Sequence, residues 1–251
     1  MIYRYFVTGT DTNVGKTVIS AALLHKAGQQ GYASFGLKPV AAGCIGTPAT
    51  NSDALLLQRH SGTQLSYSLH NPVALNAAIA PHIAAQQEGQ TQSLALNNLS
   101  TRCEHSLMQA IEANQEPQRD HWQLIEGAGG WLVPLDNQNT LADLAIQLSA
   151  PVILVVGIRL GCISHALLTA QAVHASGLKI AGWIANSLEP DMPSETDNLT
   201  YLTQAMQNAR IPMLGHIPYQ PSLALPESDH EHHLPDAETI QTVADLLRLP
   251  T

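Results

Sequence analysis

Two lysines stand out in a chain of 251 residues that carries 11 lysines and arginines against 20 acids. Lys16 lies in "GTDTNVGKT" (9–17) and Lys38 in "SFGLKPV" (34–40). A Gly-rich turn ending in Gly-Lys-Thr is suited to phosphate chemistry. Backbone N–H groups wrap the anion, the lysine reaches the β- and γ-phosphates, and the threonine hydroxyl holds Mg²⁺. Here the N–H groups of Asn13, Val14, Gly15, Lys16 and Thr17 would form the wrap, with Val18 next in the chain. The spacing departs from the usual pattern of four residues between the glycines. Thr10, Asp11, Thr12, Asn13 and Val14 separate Gly9 from Gly15, one residue too many. An ordinary βα turn with a tolerated lysine is the competing reading. The placement after a first strand and at the start of a first helix favours nucleotide binding.

Phosphate-loop enzymes also need an acid at the end of another strand to help hold the metal. "WQLIEGAGG" (122–130) offers Glu126, followed by Gly127, Ala128, Gly129 and Gly130. The glycines let backbone approach phosphate oxygens closely. Alone, the stretch could equally be a strand ending in a solvated turn. Asp53, in "NSDALLLQ" (51–58), is a third acid. Its plainer role is charge complementarity at a helix N-terminus.

These residues need a frame that brings them together, and the chain alternates β-rich and helical stretches throughout. Strands are expected at 3–9, 34–40, 121–127, 151–157, 179–186 and 213–218. Helices are expected at 16–31, 52–62, 93–114, 140–149, 163–177, 195–210 and 236–249. Ser52 and Asp236 are candidate N-caps and Gly31 a plausible stop. "PVILVVG" (151–157) has the continuous apolar character of a strand buried on both faces. This alternation predicts an α/β fold: a doubly wound, mostly parallel sheet with helices on both faces. No internal repeat or Pro/Gly/Ser-rich linker divides the chain, so 1–251 reads as one domain. Ligands of such sheets sit beyond the carboxyl ends of the strands. Gly9–Thr17, Lys38, Glu126, Gly157–Ser164, Asn186 and Pro218–Tyr219 all fall there.

Composition excludes several classes. A net charge of −9 leaves no broad basic face for nucleic acid. The apolar runs are too short to span a bilayer, and the N-terminus lacks a secretory pattern. Three widely spaced cysteines, Cys44, Cys103 and Cys162, argue for a reducing compartment and a cytoplasmic protein. The acid- and histidine-rich stretch 226–236 has no metal-ligand spacing and reads as a solvated loop.

With these residues in place, the chain resembles the dethiobiotin synthetase family along nearly its full length. The matching stretches include "YFVTGTDTNVGKT" (5–17), "GLKPVAAG" (36–43), "NSDALLLQ" (51–58), "NPVAL" (71–75) and "EGAGGW" (126–131). "LGCISHALLTAQ" (160–171), "GWIAN" (182–186) and "GHIPY" (215–219) follow in family order. The long phosphate loop is itself a family trait.

The resemblance implies a homodimer of Rossmann-like phosphate-loop subunits. They would join CO₂ to 7,8-diaminopelargonate with MgATP and close a cyclic urea through a carbamate and a carbamic–phosphoric anhydride. It places Lys38, Lys16 and Thr12 in catalysis and Thr17, Asp53 and Glu126 on Mg²⁺. Residues 13–18, Asp53 and Glu126–Gly129 line the triphosphate. Asn186, Ser187, Pro218, Tyr219 and Gln220 line the adenine. The diamine would meet Thr12, Lys38 and Ala42, and its carboxylate would meet Gly161, Cys162, Ile163 and Ser164 of the partner subunit. Three positions depart from the family. Asn13 stands where an acid is frequent, Ala42 where a serine is, and Ser187 where an aspartate is.

Two other readings share the fold class. A regulatory ATPase switch of the partitioning type usually has a further lysine early in the loop, where Thr10, Asp11 and Thr12 stand here. A GTPase would carry a guanine-reading Asn-Lys-x-Asp where "IANS" stands.

Overall fold

The computed structural model describes residues 1–116, 118–221 and 234–250. Six strands form one parallel sheet: β1 (Ile2–Gly9), β2 (Ala33–Leu37), β5 (His121–Gly130), β6 (Val152–Ile158), β7 (Ile180–Ser187) and β8 (Met213–Ile217). Their order is β2-β5-β1-β6-β7-β8. Two short strands, β3 (Val40–Ala41) and β4 (Val73–Ala74), make a separate parallel pair.

Alternation along each strand sends side chains to opposite faces. Val7 of β1 and Ile153 and Val155 of β6 pack with α1 (Lys16–Gln29), α2 (Ser52–His60) and α10 (Ala237–Asp245). Phe6 of β1 faces the other way, toward α6 (Leu96–Glu112) and α7 (Leu141–Gln147). Leu154 and Val156 of β6 join that side against α8 (Cys162–Ala175) and α9 (Glu195–Asn208). Helices therefore cover both faces, as the α/β alternation predicts. All seven residues of β6 are buried, which accounts for its unbroken apolar run.

β1 is flanked by β5 and β6, so the chain leaves the sheet in opposite directions on either side of it. The resulting crevice at the carboxyl end of β1 is where such sheets take ligands. The phosphate loop fills its floor.

Several boundaries differ from expectation. The second strand ends at Leu37 instead of residue 40. Lys38 N donates to His70 O at 2.7 Å, and Pro39 O accepts from Val73 N, which turns the chain out of the main sheet into the β3–β4 pair. The α2 cap is Asn51, not Ser52. Asn51 is extended (φ −127°, ψ 138°), and its side chain accepts from Asp53 N. The helix expected from residue 93 begins at Leu96, because Ala95 is extended and separates it from the short α5 (Thr91–Leu94). Two further short helices, α3 (Tyr67–His70) and α4 (Pro81–Gln87), carry too few residues to show a periodic pattern. Asp236 caps α10 as expected, and Gly31 adopts φ 88° just past α1. Residues 226–233 of the histidine-rich stretch lie outside the described residues.

Candidate active site

The loop between β1 and α1 is shaped by two left-handed residues, Asn13 (φ 58°) and Gly15 (φ 86°). Successive N–H groups in such conformations form an anion-binding concavity. The loop is anchored to the neighbouring strand. Thr10 N donates to Val155 O at 3.0 Å, and Gly157 N donates to Thr10 Oγ1 at 3.3 Å. Val14 packs so tightly over Gly157 that a Cβ there would lie 2.8 Å from Val14 Cγ1. Thr12 and Asn13 are exposed at the lip. Lys16 is buried, and its ammonium donates to Asp11 O at 2.9 Å. Burial, then the nearby Lys38 charge, pulls the Lys16 pKa down to about 8.

Lys38 sits across the crevice. Leu37 pairs with Ile125 in the β2–β5 register, so the following residues, Lys38 and Glu126, emerge side by side. Lys38 Nζ lies 2.6 Å from Glu126 Oε1 and 2.8 Å from Asp53 Oδ2, and 3.4 Å from Gly127 O. Thr17 Oγ1 donates to the same Glu126 Oε1 at 3.0 Å. Burial works against the Lys38 charge, but Asp53 and Glu126 outweigh it and hold the pKa above the usual lysine range. Asp53 is held below the usual carboxylate range, since Lys38 and Thr17 overcome its own desolvation. Sequence separation hides this convergence. Only the strand order brings 16–17, 38, 53 and 126 into one crevice.

The second oxygen of Glu126, Oε2, is buried and meets no hydrogen-bond partner among the described residues. An orphaned carboxylate oxygen in a fully buried side chain is costly. Together with Asp53 and the Thr17 hydroxyl it forms a set of hard oxygen donors, the chemistry that suits Mg²⁺.

Asn186, the penultimate residue of β7, pairs with Ile217 of β8, which brings it next to Pro218, Tyr219 and Gln220. Its Nδ2 donates to Val14 O at 3.0 Å, so the amide is tied to the phosphate loop. Ser187 is buried and bonds His216 Nε2 at 2.9 Å and Glu195 Oε1. Gly161 (φ 90°) opens α8, and the N–H of Cys162 is already taken by Arg159 O at 3.0 Å. Arg159 forms an ion pair with Asp11, joining the start of α8 to the phosphate loop. Ala42 is half-buried and its carbonyl accepts from Asn51 Nδ2 at 3.2 Å.

Sequence reasoning missed several of these supports. Arg159 and Asp11 gave no signal, since each is an ordinary surface charge by type. The cap Asn51 was legible in principle from its place two residues before Asp53.

A nest between the first strand and first helix, faced by a carboxylate of the neighbouring strand, defines the phosphate-loop nucleotide-binding proteins, and this chain is one of them. A family model described as an AAA domain matches residues 3–227. The ATP-dependent dethiobiotin synthetase BioD of Cellvibrio japonicus (strain Ueda107) is 49% identical over 85% of this chain and 88% of its own length. The ATP-dependent dethiobiotin synthetase BioD 1 of Escherichia coli (strain K12) is 46% identical over 87% and 92%. The chain belongs to the ATP-dependent dethiobiotin synthetase family. Among solved structures, the Pyrococcus furiosus cell division ATPase MinD aligns with a TM-score of 0.48 at 15% identity, over 96% of this chain and 97% of that one.

Proposed function

We propose that this chain is an ATP- and Mg²⁺-dependent cyclo-ligase that converts 7,8-diaminopelargonate and CO₂ to dethiobiotin, ADP and phosphate. The observation that carries the reading is the meeting of Lys38 with Asp53 and Glu126 beside the Lys16–Thr17 end of the phosphate loop. Carbamate, triphosphate and acyl phosphate are all anionic. Two converging ammonium groups therefore stabilise the charge that develops between them.

In this reading one substrate amine captures CO₂ and loses a proton, giving a carbamate. Thr12, exposed at the loop lip, contacts it. A carbamate oxygen attacks the γ-phosphorus and ADP leaves, while Lys16 and Lys38 hold the equatorial oxygens. The second amine then attacks the carbamate carbon, loses its proton, and phosphate departs as the ring closes. Thr17, Asp53 and Glu126 would hold Mg²⁺, which when bound neutralises phosphate charge. The loop N–H groups of residues 13–17 hold the phosphates, and Gly127–Gly129 give them room. The Asn186 Nδ2 bond to Val14 O leaves its amide oxygen for the adenine amino group, with 217–220 alongside and Ser187 behind.

The substrate carboxylate would be met at the start of α8 in a second subunit. Because Cys162 N–H is engaged, Ile163 and Ser164 are the donors of choice, with Gly161 setting the turn. Leu160, 92% exposed just before α8, and Leu168, exposed on it, put two apolar side chains on this part of the surface, in keeping with a homodimer. No described helix is long and apolar enough to cross a membrane. The three cysteines are unpaired, in keeping with a cytoplasmic site. The whole chain serves as one phosphate-loop domain. The partitioning-type switch is less favoured, because the second lysine at the crevice comes from the end of β2 and not from the loop.

The test supplies ATP, Mg²⁺, bicarbonate and 7,8-diaminopelargonate. Formation of the cyclic urea with diamine-dependent ADP release is expected. ADP release that ignores the diamine, with no urea formed, would overturn the assignment.

A further inference from the structure

Lys38 is held at both ends by one closed circuit of hydrogen bonds. Its carbonyl accepts from Asn71 Nδ2 at 2.8 Å. Asn71 Oδ1 accepts from the Tyr67 hydroxyl at 3.0 Å. That hydroxyl accepts in turn from Asn51 N at 2.8 Å. Asn51 Oδ1 caps Asp53 N at 3.0 Å, and Asp53 Oδ2 returns to Lys38 Nζ at 2.8 Å. The orientation of the Asn71 amide is fixed by its partners, since Nδ2 also donates to Val73 O at 3.1 Å while Oδ1 receives a hydroxyl proton.

Tyr67 is the link that closes this circuit. Its hydroxyl uses its one proton on the segment that holds the Lys38 backbone and a lone pair on the segment that carries Asp53. Asn71 is buried, and the hydroxyl is far from bulk ionisation: burial raises the Tyr67 pKa to about 12. The bridge therefore keeps its proton throughout the working range. Tyr67 touches none of the reacting atoms, so its effect must pass through Lys38 and Asp53.

We infer that Tyr67, acting through Asn71 and Asn51, is a positioning residue that fixes the Lys38 ammonium relative to Asp53 at the reaction centre. The inference rests on the assignment of Lys38 to catalysis. A lysine side chain has four rotatable carbons, and a misplacement of about 1 Å at a reacting group costs on the order of 10²-fold in rate. Loss of an outer partner that orients a site residue typically costs about 10–100-fold. Tyr67→Phe removes the hydroxyl and keeps the ring. Asn71→Asp keeps the shape and removes the donor to Lys38 O.

The experiment measures steady-state kcat and KM for ATP, thermal stability, and single-turnover rates in the wild-type and Lys38→Ala backgrounds. Tyr67→Phe is expected to lower kcat by about tenfold with KM for ATP changed less than about twofold, because the phosphate loop is untouched. The same substitution is expected to cause no further fall in the residual rate of Lys38→Ala, since residues acting as a unit are non-additive. Asn71→Asp should reproduce the kcat loss, and it carries the test if Tyr67→Phe does not fold. An inactive Lys38→Ala beside a fully active, folded Tyr67→Phe would overturn the inference alone. An equal loss in both backgrounds would also overturn it, as that marks a general structural effect. Full turnover in Lys38→Ala would overturn the parent assignment and the inference with it.

Discussion

Lys38 and Glu126, 88 positions apart, meet at 2.6 Å in a buried contact at the mouth of two neighbouring parallel strands. Lys38 thus occupies the counter-charge position between the two carboxylates proposed to hold the metal. This has a measurable consequence. Lys38→Met should raise the affinity for Mn²⁺ in the absence of nucleotide by about tenfold or more, the order expected on removing a unit charge at such close range. Lys16→Met is the control. Its ammonium bonds Asp11 O instead of either carboxylate, so its effect should be clearly smaller. Electron paramagnetic resonance of free Mn²⁺ reads both. Equal effects would mean that only the general field, and not the ion pair, governs the metal.

Turnover gives a second reading of the same lysine. Lys38→Ala should retain ATP binding, because the loop anchors to β6 without it, and should lose about 100-fold or more in kcat. Equilibrium nucleotide binding beside the urea assay checks both halves. Unchanged turnover would remove Lys38 from the catalytic set.

The phosphate loop and Asn186 share a contact that a single methyl group would break. A Cβ on Gly15 would lie 2.3 Å from Asn186 Nδ2, and Gly15 has φ 86°. Gly15→Ala must either leave the left-handed region or expel the Asn186 amide from Val14 O. Each costs about 1 kcal/mol. A loss of about tenfold or more in nucleotide affinity is expected from the pair. Titration calorimetry measures it, and wild-type affinity would show that the loop tolerates the strain.

Acid should destabilise the fold through the buried His70 and the half-buried His60. His70, stacked on Phe35 and bonded to Gly36 O at 2.7 Å, is pushed down to about 4 by burial. His60 reaches about 4 through burial, then the charges of His25 and Arg59. A depressed folded pKa means that the unfolded chain binds more protons between pH ~6.5 and ~4. Stability is therefore intact above pH ~6.5 and falls as pH drops toward 4, by about 3 kcal/mol for the fully buried His70. Denaturant melts at stepped pH should show this slope. His70→Gln should flatten it, and an unchanged slope would assign the acid loss elsewhere.

The proposed subunit contact through Leu168, exposed on α8, can be tested directly. Leu168→Glu should shift the protein toward monomer in sedimentation and lower turnover at low protein concentration, because a buried unpaired charge is costly. An unaltered oligomeric state would place any subunit contact on another face.

Much of this was legible in the sequence. Hydrophobic continuity marks β6, and Gly15-Lys16-Thr17 placed between the first strand and the first helix marks the anion nest. Strand and turn patterning picks out Lys38, Glu126 and Asn186 as residues near strand ends, because those signals are local, although β5 runs on past the expected residue 127 to Gly130 and β7 to Ser187. The expected strand 34–40 took in Lys38, but the strand stops at Leu37, where His70 O captures the next N–H. The cap fell on Asn51 instead of Ser52 because only the folded backbone shows which of two capping residues is extended.

What the sequence by itself determined was the six strands of the main sheet, the longer helices, and the residues near their ends. The tertiary structure decided which ends meet. Pairing of β5 with both β1 and β2 puts Glu126 between the phosphate loop and Lys38. No local pattern encodes that order, since it is fixed by burial of whole strands across the sheet. The Tyr67 bridge and the Arg159–Asp11 pair follow the same logic. Their residue types are common, and only long-range packing gives them partners.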